Sequence, residues 1–95
     1  MTSEDIKTIW VKVTGKVHGV GFRWCSYEKF VELGLTGTAE NVQDGVEITT
    51  TGETQKLKEF LRWAQKGPQG ARVDNMEYKT VSTVAAEIDP EKTDN

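Results

Sequence analysis

The strongest constraint on the fold is a change of apolar period across a run of glycines. In Ile6 to Thr14, IKTIWVKVT, the residues Ile9, Val11 and Val13 alternate with Trp10, Lys12 and Thr14. That period of two marks a strand with one buried face. From Phe22 to Leu33 the apolar residues fall at Phe22, Cys25, Phe30 and Leu33, and Gly34 follows. This is a helical spacing with a glycine placed to end it. Between them lies GKVHGVGFR, with glycines at 15, 19 and 21. A strand must hand over to a helix through a loop free to adopt backbone conformations that other residues avoid.

The rest of the chain continues the pattern. Leu35 to Val42 reads as a second strand, Asp44-Gly45 as a hairpin turn signal, and Val46 to Thr51 as a β-branched third strand. Leu57, Phe60, Leu61 and Ala64 form an i, i+3, i+4, i+7 stripe that Gly67-Pro68 stops. A fourth strand is expected over Arg72 to Val81, a short last strand at VAAEI (84–88), and a flexible, solvated tail at DPEKTDN (89–95). The order β-α-β-β-α-β is the α+β, ferredoxin-like split β-α-β arrangement: an antiparallel sheet with two helices packed on one face. The 95 residues suffice for one domain, residues 1–95, with an ordered core over about 6–88.

Composition narrows the function. Hydrophobic residues make up 36% of the chain, enough for one small core. The net charge of −3, with both signs interspersed, argues against a nucleic-acid backbone as partner but leaves room for one local anion site. Trp10 is expected on the open face of the sheet, where aromatics can stack bases, yet the paired aromatics of ferredoxin-like RNA binders are absent. Trp24 and Trp63 read as packing or partly exposed surface residues. Cys25 is the only cysteine, which rules out an internal disulfide and a cysteine-rich zinc site. It lies on the first helix's apolar stripe and is expected in the core, with a partly exposed reactive thiol as the alternative. The start MTSEDIK lacks the basic and apolar regions of a signal peptide, and no apolar run approaches the length of a membrane span. A cytoplasmic monomer without membrane contact is expected.

The glycine loop suggests chemistry. Successive main-chain N–H groups between a strand and a helix can turn inward as a nest, beside the unpaired N–H groups of the helix start. The helix dipole favours negative charge there by about 0.3–1 kcal/mol. Arg23, in the first helical turn, can bring a planar fork suited to phosphate oxygens. The plainer reading is a tight turn followed by a solvated arginine. Two better-known sites are excluded: the lysine and hydroxyl of a nucleotide P-loop do not follow the last glycine, and the glycine spacing is not that of a dinucleotide fingerprint.

GKVHGVGFR resembles the signature of the acylphosphatase family, which usually reads G-x-V-Q-G-V-x-F-R. GLTGTAENVQDGVEI resembles that family's second motif, with an asparagine on the strand before a D-G turn, and KGPQGARV resembles the link into its fourth strand. The similarity runs from about Val11 to Met76. It implies hydrolysis of small-molecule acyl phosphates to carboxylate and inorganic phosphate, without metal or cofactor. It further implies that Arg23 binds the phosphate together with loop amides over Lys16, Val17, His18, Gly19 and Val20, and that Asn41 positions the attacking water. The chemistry suits so sparse a site. A carboxylate leaves without a general acid, and a loose phosphoryl-transfer transition state needs little nucleophilic push. Asn41 cannot be a base, but its amide both donates and accepts.

The chain departs from the family pattern at several positions. His18 replaces the usual glutamine; it can serve as a proton acceptor or nucleophile, or make the glutamine's structural hydrogen bonds, and the structural role is favoured. Thr38 stands for an aromatic, Glu40 for a basic residue on the face opposite Asn41, and Ala86 for an aromatic in the last strand. The hairpin is one residue shorter than usual. These departures motivate the alternative of a non-catalytic phosphate- or acyl-phosphate-binding module of the same fold.

Overall fold

A computed structural model describes residues 6–83; the short strand expected at 84–88, with Ala86, and the tail at 89–95 lie outside the described residues. The elements are β1 (Ile6–Lys16), α1 (Phe22–Leu33), β2 (Thr36–Val42), β3 (Gly45–Glu53), α2 (Thr54–Ala64) and β4 (Arg72–Thr83). All strand pairs are antiparallel, and the sheet runs β2-β3-β1-β4. This is the ferredoxin-like arrangement expected from the order of periods.

The period-two pattern of β1 does what it implies. Ile9, Val11 and Val13 are buried, and they stand opposite Thr50, Ile48 and Val46 of β3, which are buried too. Thr50 is polar at full burial, and its hydroxyl donates to the Thr36 carbonyl at 2.8 Å, so that hydroxyl is not left unpaired. Against this sheet face lie Phe22, Phe30 and Leu33 of α1 and Leu57, Phe60 and Ala64 of α2. A chain of rings ties the helices together: Phe30 to Phe60 at 5.4 Å, Phe60 to Trp63 at 5.5 Å and Phe22 to Trp63 at 5.3 Å between centroids. Trp63 is thus a packing residue. Trp10 lies half-buried on the other sheet face, with the Lys79 ammonium 5.5 Å from its ring centroid. Lys12, also on that face, pairs with Asp44 at 2.9 Å; this hydrogen bond holds the Asp44 carboxyl below its ordinary range and raises the lysine.

Two expectations are corrected. Cys25 is only half-buried, and the fully buried position on that turn is Ser26, whose hydroxyl donates to the Phe22 carbonyl at 2.8 Å. At about 100° per residue, Ser26 returns closer than Cys25 to the line of Phe22 and Phe30. The internal bond to the helix's own carbonyl lets a serine occupy a core site. The second correction concerns the hairpin. Val42 pairs with Gly45, so Gln43 and Asp44 are its central residues and Gly45 opens β3. Gly45 is bare for another reason: a Cβ there would sit 2.0 Å from the Val13 carbonyl oxygen of β1.

Strand and helix ends otherwise shift by small amounts. β1 runs on to Lys16 because Gly15 and Lys16 pair with Val73 and Arg72 of β4. Helix α1 ends as expected: Gly34 takes φ 72°, and the next amide, Leu35 N–H, reaches back to the Phe30 carbonyl at 2.8 Å.

These two glycines should respond differently to a methyl group. Around Gly34 nothing lies within 4 Å of an added Cβ, so Gly34→Ala meets only the left-handed backbone penalty. That penalty is about 1 kcal/mol. Gly45→Ala must push β1 and β3 apart and should cost more than about 2 kcal/mol. Urea unfolding midpoints at constant m-value will check the order.

Candidate active site

The loop is built by a strand that ends under constraint. At the end of β1 the register with β4 jumps from Thr14–Asn75 to Gly15–Val73, leaving Asp74 as a bulge. Gly15 sits at φ 125°, and a Cβ there would lie 2.3 Å from the Arg72 carbonyl oxygen. Only glycine lets the strand approach β4 this closely. Val17 then turns inward and is buried, with its N–H bonded to the Gly15 carbonyl at 3.0 Å. Gly19 and Gly21 follow in the left-handed region at φ 75° and 78°, and Gly21 begins α1 by accepting from Cys25 N–H at 2.9 Å.

Between those two bonded amides, Val17 and Cys25, no main-chain N–H makes a hydrogen bond of good geometry among the described residues. Helix α1 also lacks a side-chain cap and has no acidic residue in its first turn. The positive end of its dipole therefore has no neutralising group on its own helix.

Arg23 and Tyr27, one turn apart on α1, grip the same residue of the edge strand. Arg23 Nε donates to the Ala39 carbonyl at 3.1 Å, and Tyr27 Oη accepts from Ala39 N–H at 3.0 Å. Ala39 stands opposite Ile48, with its own N–H and C=O turned away from β3 toward the helix. Edge groups that would otherwise face water are satisfied by α1. The Arg23 Nη groups have no protein partner among the described residues. Asn41 is two residues further on and shares Ala39's face of the strand, while Glu40 points to the opposite face.

These elements enclose a cavity of about 200 Å³ lined by Val17, Gly19, Gly21, Phe22, Arg23, Trp24 and Asn41. Of the expected site residues, Arg23, Asn41, Val17 and Gly19 thus meet in one place. Lys16, His18 and Val20 do not line the cavity. Lys16 is exposed opposite Arg72, and Val20 packs against the core. The His18 ring places Nε2 2.7 Å from the Gly45 carbonyl oxygen; a carbonyl only accepts, so Nε2 carries the proton and donates. His18 thereby ties the loop to the start of β3. Among the described residues, no group of three His, Cys, Asp or Glu side chains is placed to hold a metal ion.

Sequence reasoning passed over Trp24 as a wall residue and Tyr27 as a clamp. The signal for Tyr27 was its i, i+4 spacing from Arg23, which puts both on one helix face. Tyr27→Phe removes the oxygen that accepts the Ala39 amide. The expected outcome is a stability loss of about 1 kcal/mol and hydrogen exchange of the Ala39 amide roughly tenfold faster, with distant amides unchanged. Two-dimensional NMR exchange measurements read both.

Comparison with known proteins gives a consistent answer. The family profile described as Acylphosphatase matches residues 9–89. The chain is 44% identical over 74 residues to an acylphosphatase of Caldanaerobacter subterraneus subsp. tengcongensis, covering 77% of this chain and 82% of that protein. It is 46% identical over 74 residues to one of Aliivibrio fischeri, with the same coverage. Among solved structures, an acylphosphatase from Coxiella burnetii superposes with a TM-score of 0.81 at 34% identity, covering 87% of this chain and 90% of that one. With the profile spanning most of the chain and these relatives matched over most of their own length, this chain belongs to the acylphosphatase family.

Proposed function

We propose that this protein is an acylphosphatase, splitting the carboxyl–phosphate bond of an acyl phosphate with water to give a carboxylate and inorganic phosphate. One observation carries the reading: Arg23 and Asn41, from different elements, wall the same small cavity as a loop rich in unpaired main-chain amides. In this reading the phosphate lies against the unbonded loop amides of His18, Gly19 and Val20 and the helix N-terminus. Of the loop expected over Lys16 to Val20, Lys16 pairs with β4 and the Val17 N–H is held by the Gly15 carbonyl. Arg23 adds its two Nη groups as a fork. Its Nε, committed to the Ala39 carbonyl, limits rotation of the guanidinium, so little side-chain entropy remains to be lost when the anion arrives.

Water attacks phosphorus, the P–O bond to the carboxyl oxygen breaks, and the bonding pair leaves with the carboxylate. The water's protons end on phosphate and solvent. A carboxylate is stable without protonation, so no general acid is required. In a loose transition state the bond to water is little formed, so a strong base adds little. What remains is charge stabilisation and positioning. Asn41 suits the positioning role, since its carboxamide can both donate to and accept from a water.

Hydrolysis of benzoyl phosphate by wild type, Arg23→Ala and Asn41→Ala tests this. Arg23→Ala should lose at least about 10²-fold in kcat/KM and also lose competitive inhibition by inorganic phosphate. Asn41→Ala should lose kcat while the phosphate inhibition constant stays within about twofold of wild type. Chelator should change neither. An Asn41→Ala enzyme as fast as wild type would exclude the water-positioning role. Tight phosphate binding by a wild-type protein that turns over no acyl phosphate would point instead to the binding-module alternative.

A further inference from the structure

We infer that Trp24 is the acyl-group platform of this site and biases the enzyme toward acyl phosphates with an aromatic or bulky apolar acyl group; the inference rests on the acylphosphatase reading above. Among the described residues that line the cavity, Trp24 is the only large hydrophobic side chain exposed to solvent, at 69%. Large aromatic rings are usually mostly covered, so an indole left bare beside a pocket is a surface waiting for contact. Phe22 and Val17, the other apolar walls, are each 1% exposed and belong to the core.

The size of the cavity decides where the acyl group goes. About 200 Å³ is below the ~300–1,000 Å³ of pockets that engulf drug-sized ligands. With phosphate against the loop and Arg23, an acyl group of more than a few carbons must extend over the rim. Most of the rim offers it bare backbone at Gly19 and Gly21 or the polar Asn41. The indole face is the one broad apolar surface there. It continues outward along α1 through Tyr27 and Val31, at i+3 and i+7, which are 37% and 84% exposed. An aryl ring conjugated to the reacting carbonyl is flat and can stack on the indole in an offset or edge-on manner. An acetyl methyl is too short to cover much of it.

The test compares kcat/KM for benzoyl phosphate and acetyl phosphate in wild type, Trp24→Ala and Trp24→Phe. The wild type should favour benzoyl phosphate, chiefly through KM. Trp24→Ala should lower the benzoyl-to-acetyl ratio of kcat/KM by about five- to tenfold, and Trp24→Phe should restore most of it. The inhibition constant of inorganic phosphate, which lacks an acyl group, should move less than about twofold in either variant. The ring is exposed, so both variants should keep the fold, which circular dichroism will verify. A ratio unchanged within about twofold in Trp24→Ala, with wild type hydrolysing both substrates, overturns the platform and leaves the acylphosphatase reading standing. A wild type that hydrolyses neither substrate overturns that reading, and the platform with it.

Discussion

The two hydrogen bonds on Ala39 hold the site together. An edge strand has one row of main-chain groups without a strand partner, and in β2 the pair at Ala39 is taken by Arg23 and Tyr27 of α1. The consequence is geometric. Asn41 is fixed two residues from Ala39, and Arg23 is on the helix that grips it. The distance between a guanidinium and a carboxamide from different elements is thereby set through a strand's backbone, which has few ways to deform. If α1 slid along the sheet by one turn, both bonds would break together and the cavity lined by these residues would open. The ring contacts of Phe22, Phe30, Phe60 and Trp63 resist that slide from below, but apolar packing is non-directional. The main-chain bonds give it a register.

The electrostatic design is equally local. The protein is acidic overall, at −3, yet the cavity is walled by an arginine and the start of a helix with no acid in its first turn. The acidic residue on β2, Glu40, points to the other face of the sheet, where Lys12, Glu47 and Trp10 also lie. Strand alternation thus separates an unhelpful charge from the proposed anion site by the thickness of the sheet. It also makes the replacement of a basic residue by Glu40 compatible with an anion-binding role on the opposite face.

Much of this was legible in the chain itself. Alternation in β1, the stripe on α2 and the glycines between β1 and α1 are local signals, and the fold follows from their order. The residues of the cavity were legible in part: Arg23 and Asn41 stood out through motif resemblance, and the structure brings them together. The failures share a cause. Ser26 displaced Cys25 from the core because a hydroxyl can satisfy itself on its own helix, which hydrophobicity alone cannot show. Gly45 read as a turn residue, but it is bare because of the Val13 carbonyl of a different strand. Tyr27 shares a helix face with Arg23, but its role was not legible because its partner is the main-chain N–H of a residue on another element. Each is a contact to backbone, and backbone has no letter in the sequence.

That same distinction divides the labour at the proposed site. On the phosphate side most of the donors are main-chain amides, so the geometry depends on glycines and strand register and only weakly on which side chains fill the loop. This accounts for why His18 can stand in place of glutamine there: its ring is turned to the Gly45 carbonyl, and the loop's amides are left as they were. On the acyl side the wall is a side chain, Trp24, on an exposed turn of a helix whose buried residues are elsewhere. A change at that position disturbs neither the core nor the Ala39 clamp. In the proposed reading the acyl preference can change at Trp24 without changing the loop amides, Arg23 or Asn41, because Trp24 is exposed and takes no part in the core or in the Ala39 hydrogen bonds.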